Sequence, residues 1–265
     1  DLHLSLRRQR QMCIRDRSFW SIHTKILAIV TVTLFCTSNN TYALMIDSFE
    51  TPQALEATSS TPSVCSSVDG TGILGNERDV VVSKSSGPVN AKFEIAPSGT
   101  HWLSFGLGPA TKGTAHLTWD GSDNNPLNDV FTGLGGIDLT DNNTSNALTV
   151  DVLFADLNVD LSVRVWTDAN NASSAVLSLP GGTTSLTDVS VLFSAFSTTH
   201  GAGADFSNAG MVELAVNPTN AATDILVDNI YTEFVPEPSS LVLAGICLCS
   251  LLMINRRQGK ERLYQ

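Results

Sequence analysis

The residues best suited to bind a sugar are an aromatic residue and its polar neighbours on one alternating segment. Between positions 159 and 166 apolar residues alternate with Asp160, Ser162 and Arg164, and Trp166 falls in the polar series. Alternation with period two predicts a strand, so these side chains share one face. An outward indole can stack on a pyranose ring while polar neighbours bind its hydroxyls. The pattern therefore predicts a carbohydrate-binding face at Trp166, Arg164 and Asp160; the alternative is that Trp166 packs beneath a loop or a second layer.

Motifs for catalysis and nucleotide binding are either missing or lack their structural setting. Residues 70–75 match the GxGxxG pattern, but strand-like residues follow where phosphate binding requires a helix N-terminus, so we expect a loop. The sequence contains neither GxSxG nor HExxH, and His101, His116 and His200 are isolated in it. We therefore expect no enzymatic activity. The alternative is a secreted glycan hydrolase, which needs two carboxylates facing each other across a cleft.

Acidic residues dominate the central part of the 265-residue chain. Residues 44–238 contain five basic and 23 acidic residues, a net charge of −18, while the remaining basic residues lie near the two ends. Such a segment repels a phosphate backbone, so we expect no nucleic-acid partner.

The central part is predicted to be an all-β, antiparallel β-sandwich of the jelly-roll type. Short alternating segments are separated by turn-forming strings such as GSDNNPLND and DNNTSN, and no convincing helix is present. Cys65 is the only cysteine between residues 44 and 234, so this domain must be stable without an internal disulfide. The expected strands, about ten in number, cover residues 44–50, 78–83, 89–95, 101–107, 114–119, 148–154, 159–165, 174–179, 189–193, 212–216 and 224–234.

The N-terminal part has the features of an export signal. Residues 1–17 include the string QMCIRDR, which resembles translated sequencing-adaptor sequence, so we interpret them as a non-native leader; a long basic leader is the alternative. Residues 18–43 combine Lys25, an apolar run and small residues before a cut after Ala43. These features predict a signal peptide and export through the inner membrane.

The C-terminal part, residues 235–265, combines a proline motif, an apolar segment and a basic tail. The motif is Val235-Pro236-Glu237-Pro238, the apolar residues 241–254 predict a short transmembrane helix, and Arg256 and Arg257 follow. This order resembles the PEP-CTERM sorting signal of Gram-negative bacteria. The resemblance implies processing by the membrane protease exosortase, transient anchoring and an association with extracellular polysaccharide. A simple membrane anchor is the alternative.

Residues 44–234 resemble exported domains of the galactose-binding, carbohydrate-binding-module type. The resemblance rests on IDSFE at 46–50, LTWDG at 117–121, GADFSNAGMVEL at 203–214 and VDNI at 227–230. Domains of this kind often join their first and last strands through one structural calcium, which implies ligands at Asp47, Glu50 and Asp228 here. Ordinary exposed carboxylates are the alternative.

Taken with the export signals, these features predict a non-catalytic protein of the cell surface or extracellular matrix that binds exopolysaccharide. The alternatives are the glycan hydrolase already mentioned and a structural matrix component without a specific ligand. The expected partners are exosortase, the inner membrane during sorting, and polysaccharide.

Overall fold

The computed structural model describes residues 44–236, which form two antiparallel sheets. The strands are β1 (Met45–Asp47), β2 (Gln53–Ala57), β3 (Ser63–Asp69), β4 (Glu77–Ser86), β5 (Ala91–Ile95), β6 (Leu103–Leu107), β7 (Lys112–Trp119), β8 (Ala147–Ala155), β9 (Val159–Asp168), β10 (Asn171–Leu179), β11 (Thr187–Leu192), β12 (Ser197–His200), β13 (Met211–Pro218) and β14 (Asp224–Glu233). Three single turns of 3₁₀-helix are the only helical elements of this part of the chain. The predicted all-β, antiparallel sandwich is confirmed.

The two sheets have seven strands each. Sheet A has the order β11-β8-β14-β6-β5-β2, with β1 added beside β14, and sheet B has the order β12-β10-β9-β13-β7-β4-β3. The first and last strands of the domain therefore pair with each other in sheet A. The chain passes between the sheets repeatedly, so that strands distant in sequence become neighbours.

The core lies between the inner faces of the two sheets and is filled by the apolar residues of each alternating strand. On β9 the inner side chains Val159, Leu161, Val163 and Val165 are almost fully buried, as period-two alternation requires. The largest fully buried apolar side chains include Trp119, Phe49, Phe93 and Phe105. Burial of this continuous apolar layer stabilises the two sheets. Within residues 44–236 no disulfide adds to it, because Cys65 is a free thiol.

A long connection, residues 120–146, leads from β7 of sheet B to β8 of sheet A and lies over one end of the outer face of sheet B. It approaches itself so closely that a Cβ at Gly133 would collide with the carbonyl oxygen of Asp120. The connection is also fixed to the start of β13 by hydrogen bonds from Leu134 N to Gly210 O and from Ile137 N to Ala209 O. It therefore forms a wall at that end of the face.

All eleven of the predicted strands are present, and three strands were not predicted. The unpredicted strands are β2, β3 and β12, while residues 70–75 form a loop and a 3₁₀ turn between β3 and β4, as expected. No helix within residues 44–236 is long and apolar enough to span a membrane. The predicted leader, signal peptide, cleavage site at Ala43 and transmembrane segment lie outside the described residues, as do Glu237, Pro238, Arg256 and Arg257.

Candidate functional site

The outer face of sheet B brings together charged and aromatic side chains from β9 and β13. Arg164 lies opposite Glu213 in the antiparallel register, and Trp166 lies opposite Met211. All four side chains point away from the core because their strand neighbours point into it. The outward direction predicted for Trp166 and Arg164 is therefore observed.

Trp166 is covered rather than exposed. Its side chain is only 7% exposed, because the ring of Phe131 lies 4.6 Å from its centroid and the ring of His200 lies 4.8 Å from it. Phe131 belongs to the 120–146 connection and His200 to β12. The packing of Trp166 beneath a loop, given above as the alternative, is what the structure shows, so its face is not a free stacking platform.

Trp166 instead contacts Glu213 and Arg164 beside it and holds both side chains in place. Its indole Nε1 donates a 2.7 Å hydrogen bond to Glu213 Oε2, and the same oxygen lies 3.5 Å from Arg164 Nη1. The Arg164 guanidinium also lies over the indole, with its central carbon 5.7 Å from the ring centroid, a favourable cation–π geometry. The side chain of Arg164 remains 43% exposed and that of Glu213 23% exposed, so a donor fork and an acceptor are held ready at the surface.

The polar character continues along the neighbouring rows of the same face. Thr118 of β7 lies beside Glu213, and exposed His116 lies one row further along. On β9, Ser162 accepts a hydrogen bond from Asn217, and Asp160, the third predicted sugar-binding residue, accepts one from Ser178. The result, which we call the polar face, is a strip of donors and acceptors on adjacent strands, closed at one end by Phe131, Trp166 and His200.

The three predicted calcium ligands are not grouped together. Asp47 is fully buried, where both of its oxygens accept hydrogen bonds from Arg78 Nη1 at 2.9 and 3.0 Å and Oδ2 also accepts one from Trp119 Nε1 at 3.0 Å. Glu50 is exposed, and Asp228 lies in sheet A, where it accepts a hydrogen bond from Asn229. Because Arg78 already neutralises Asp47, the structure provides no support for a calcium ion at these three residues, which stays a prediction.

A different group of acids is brought together at the start of β4, and the sequence reasoning did not select it. Within residues 44–236, the one set of three acids whose ligand oxygens all lie within 4.8 Å of one another is Glu77, Asp79 and Asp123. Asp120, at the end of β7, lies beside them and accepts a hydrogen bond from Val130 N at 2.6 Å. We call Glu77, Asp79, Asp120 and Asp123 the acidic cluster.

Burial and mutual repulsion act together in the acidic cluster. Burial, opposed by the nearby Ser67 hydroxyl and aided by the charges of Asp120 and Asp123, raises the pKa of Asp79 to about 6. Burial likewise raises the pKa of Glu77 and the pKa of Asp120. The available signal in the sequence was the spacing of Glu77 and Asp79, which places both on one side of a strand, but Asp120 and Asp123 come from a part of the chain more than 40 residues away.

Comparison with known proteins finds structural likeness only. No protein-family model and no curated protein matches the chain. Two of the similar solved structures are a family 11 carbohydrate-binding module from Clostridium thermocellum in complex with a β-1,3-1,4-mixed-linked tetrasaccharide, and TmCBM61 in complex with β-1,4-galactotriose. The first is 12% identical with a TM-score of 0.36 over 74% of this chain and 97% of its own; the second is 8% identical with a TM-score of 0.31 over 71% and 90%. Likeness at this level carries no conclusion about what this chain binds.

Proposed function

We propose that this protein is an exported, non-catalytic glycan-binding protein whose polar face holds a polysaccharide at the cell surface or in the extracellular matrix. The observation that carries the proposal is the Arg164–Glu213–Trp166 arrangement, in which an exposed donor fork and an acceptor are fixed on rigid strands beside an aromatic wall. The carbohydrate-binding-module-like fold is consistent with it.

The chemistry of the polar face suits sugar hydroxyls. Each hydroxyl both donates and accepts hydrogen bonds, so adjacent hydroxyls of one sugar ring can bind the guanidinium of Arg164 and the carboxylate of Glu213 together. Because Trp166 already holds the side chains of Arg164 and Glu213 in place, less side-chain entropy is lost when a sugar binds. Partly exposed Phe131 and exposed His200 are the aromatic side chains that a sugar ring could contact at this end of the polar face. A chain of sugars can extend from there along Ser162 and His116.

We infer that the carboxylates of this domain serve binding rather than hydrolysis. A glycoside hydrolase needs a protonated carboxyl group and a second carboxylate on either side of an accessible bond. Glu213 is engaged by Arg164 and by the indole of Trp166, as a fixed acceptor is. Three of the acids with raised pKa values, Glu77, Asp79 and Asp120, are only 1–4% exposed, which disfavours access of a sugar to them.

The C-terminal end of the domain suits presentation of a sorting signal. Val235, the first residue of the proline motif, is fixed to Asn146 by two hydrogen bonds, from its N–H at 2.7 Å and to its carbonyl at 2.9 Å. Pro236 is exposed. In this proposal the signal peptide directs export, exosortase recognises the motif that begins where the fold ends, and cleavage releases the domain from the inner membrane.

The binding proposal is tested on a glycan array with the purified chain and two variants. Arg164→Ala is expected to lose most of the signal for the preferred glycan, since hydrogen bonds to charged groups each contribute about 1.5–3 kcal/mol. Lys92→Ala, an exposed basic residue on β5 of sheet A, is the matched control and should bind as the wild type does. Absence of any bound glycan would favour a structural matrix component, and release of reducing ends from a bound glycan would favour a hydrolase; either result would overturn the proposal.

The sorting proposal has its own test. Expressed in a host that contains exosortase, the chain should lose the segment that follows the proline motif and leave the membrane fraction. Replacement of Glu237 by Ala should keep it at full length in the membrane. Equal processing of both chains would contradict exosortase recognition.

A further inference from the structure

The acidic cluster has no positive partner of its own. Its carboxylates come from the start of β4, the end of β7 and the loop that follows β7. Within residues 44–236 the ion pairs are Arg78–Asp47 and Arg164–Glu213, so no lysine or arginine pairs with these four acids. The groups that meet their charge are neutral donors: backbone N–H groups, such as that of Asn124 on Glu77, and the side-chain amide of Asn128, which donates to Asp123 Oδ2 at 3.2 Å.

A second observation points to a missing ligand. Asp79 is 4% exposed, its carboxylate points into the cluster, and its Oδ1 atom is buried without a hydrogen-bond partner among residues 44–236. A buried carboxylate oxygen with neither a donor nor a cation costs several kcal/mol in general. One carboxylate oxygen from each of Glu77, Asp79 and Asp123 lies within 4.8 Å of the other two, so an ion between them can contact all three side chains.

We propose that Glu77, Asp79 and Asp123, with Asp120 beside them, bind a calcium ion. All the available ligands are oxygens, and no histidine or cysteine belongs to the group, which disfavours zinc and copper. Calcium accepts six to eight oxygens in irregular geometry, which a strand end and the loop after β7 can supply together with carbonyls and water. Magnesium requires stricter octahedral geometry and keeps its own water shell.

The proposed ion would also organise the wall of the polar face. Asp123 lies in the 120–146 connection, Asp120 accepts the hydrogen bond from Val130 N, and Phe131 is the next residue and covers Trp166. A calcium ion at the cluster therefore joins this connection to β4 in sheet B. The ion site itself does not depend on glycan binding, so the two proposals can fail separately.

The experiment is calorimetric titration of calcium chloride into the full-length chain after treatment with a chelator, without any glycan. The wild type should bind about one calcium ion, and its thermal midpoint should rise with calcium. Asp79→Asn and Asp123→Asn should each weaken calcium binding by about tenfold or more. In the absence of calcium, Asp79→Asn should unfold at a higher temperature than the wild type, because one repelling charge is gone. Asp123 is partly exposed, so its variant remains informative even if Asp79→Asn folds poorly.

Asp228→Asn is the control that separates this site from the one predicted from the sequence, and it should bind calcium as the wild type does. Loss of binding in Asp228→Asn with retention in Asp123→Asn would overturn the proposal. So would the absence of calcium binding at millimolar concentration, or binding of magnesium with equal affinity.

Discussion

The two sides of strand β4 show two different ways of keeping charge inside a protein. On the inner side, Arg78 is fully buried and forms an ion pair with Asp47, with both side chains 0% exposed. On the outer side, the residues before and after it, Glu77 and Asp79, are almost as deeply buried, but the nearby charges are those of other acids. Of these three consecutive residues, Arg78 has a counter-ion, whereas Glu77 and Asp79 have no positively charged partner within residues 44–236.

The difference lies in what surrounds each charge. Every donor group of Arg78 has an acceptor: Nη1 binds Asp47, Nε binds Gln53 Oε1 at 2.8 Å, and Nη2 binds the Thr51 carbonyl at 2.9 Å. In the part of the chain that the structure describes, Asp79 Oδ1 has no hydrogen-bond partner. The inner site is complete as the chain folds, whereas the outer site requires a positive charge from outside the protein, and this contrast makes the two sides separately testable.

The largest effect is expected on the inner side. Asp47→Asn leaves the Arg78 charge buried without its counter-ion, which costs about 3–5 kcal/mol of unfolding free energy. Urea denaturation of this variant measures the loss, with Asp188→Asn on exposed strand β11 as a control that should change little. A loss below about 1 kcal/mol would mean that the inner pair does not hold β1 to β4.

A double replacement gives the next largest effect. Replacing Asp47 by Leu and Arg78 by Met together removes both charges, so the double variant should lose less stability than the sum of the two single changes. The difference, measured as a double-mutant cycle in urea, should be about 0.5–3 kcal/mol. Simple additivity would show that the two side chains contribute independently.

The outer side should respond to pH in the opposite sense to a normal ion pair. The pKa of Asp79 is raised to about 6 in the folded protein from about 3.8, so the folded state binds its proton more tightly than the unfolded state does. Proton binding by Asp79 therefore stabilises the folded state. In the presence of a chelator, this stabilisation is complete below about pH 4 and is lost as the pH rises through about 6. The measurement is the free energy of unfolding of the wild type minus that of Asp79→Asn across this pH range. This difference should fall as the pH rises. A difference that increases with pH would contradict the raised pKa of Asp79.

The smallest effect on stability is expected at the polar face. Arg164 and Glu213 form a partly exposed pair, and such pairs contribute about 0.2–1 kcal/mol. Glu213→Gln should therefore lower the unfolding free energy by less than about 1 kcal/mol while it weakens glycan binding strongly. Glu94→Gln on the outer face of sheet A is the matched control for binding. A large loss of stability in Glu213→Gln would assign this pair to the fold rather than to a ligand.

The strands that could be predicted are those with a regular apolar alternation. Burial of one face of a strand produces this alternation, so the sequence itself records the strand. Strands β8, β9 and β13 carry valine and leucine at every second position, and they were predicted close to their observed bounds. The missed strands lack this signal: β2 reads QALEA, β3 is rich in serine, and β12 reads STTH with all four residues exposed. These strands form through pairing with neighbours, which the local pattern does not record.

The sites were harder to predict for the same reason. Parity placed Trp166 on the outer face, but its covering residues, Phe131 and His200, lie more than 30 residues away in both directions. The resemblance to jelly-roll domains implied a calcium ligand at Asp47, and no local pattern connects Asp47 with Arg78, the partner that it has in the structure. Burial and counter-ions are properties of the assembled sheets, so a single sequence gives the direction of a side chain more reliably than its partner.

The most direct test of the central claim, that the polar face binds a glycan, uses the tryptophan indole N–H signals in a nitrogen-15 NMR titration with the best glycan from the array. The Trp166 indole donates to Glu213 at the polar face, whereas the Trp119 indole donates to Asp47 in the core. The account predicts that the Trp166 signal moves progressively as glycan is added and that the Trp119 signal stays in place. Binding that leaves the Trp166 signal unchanged would contradict the account, because the sugar would then lie on another surface.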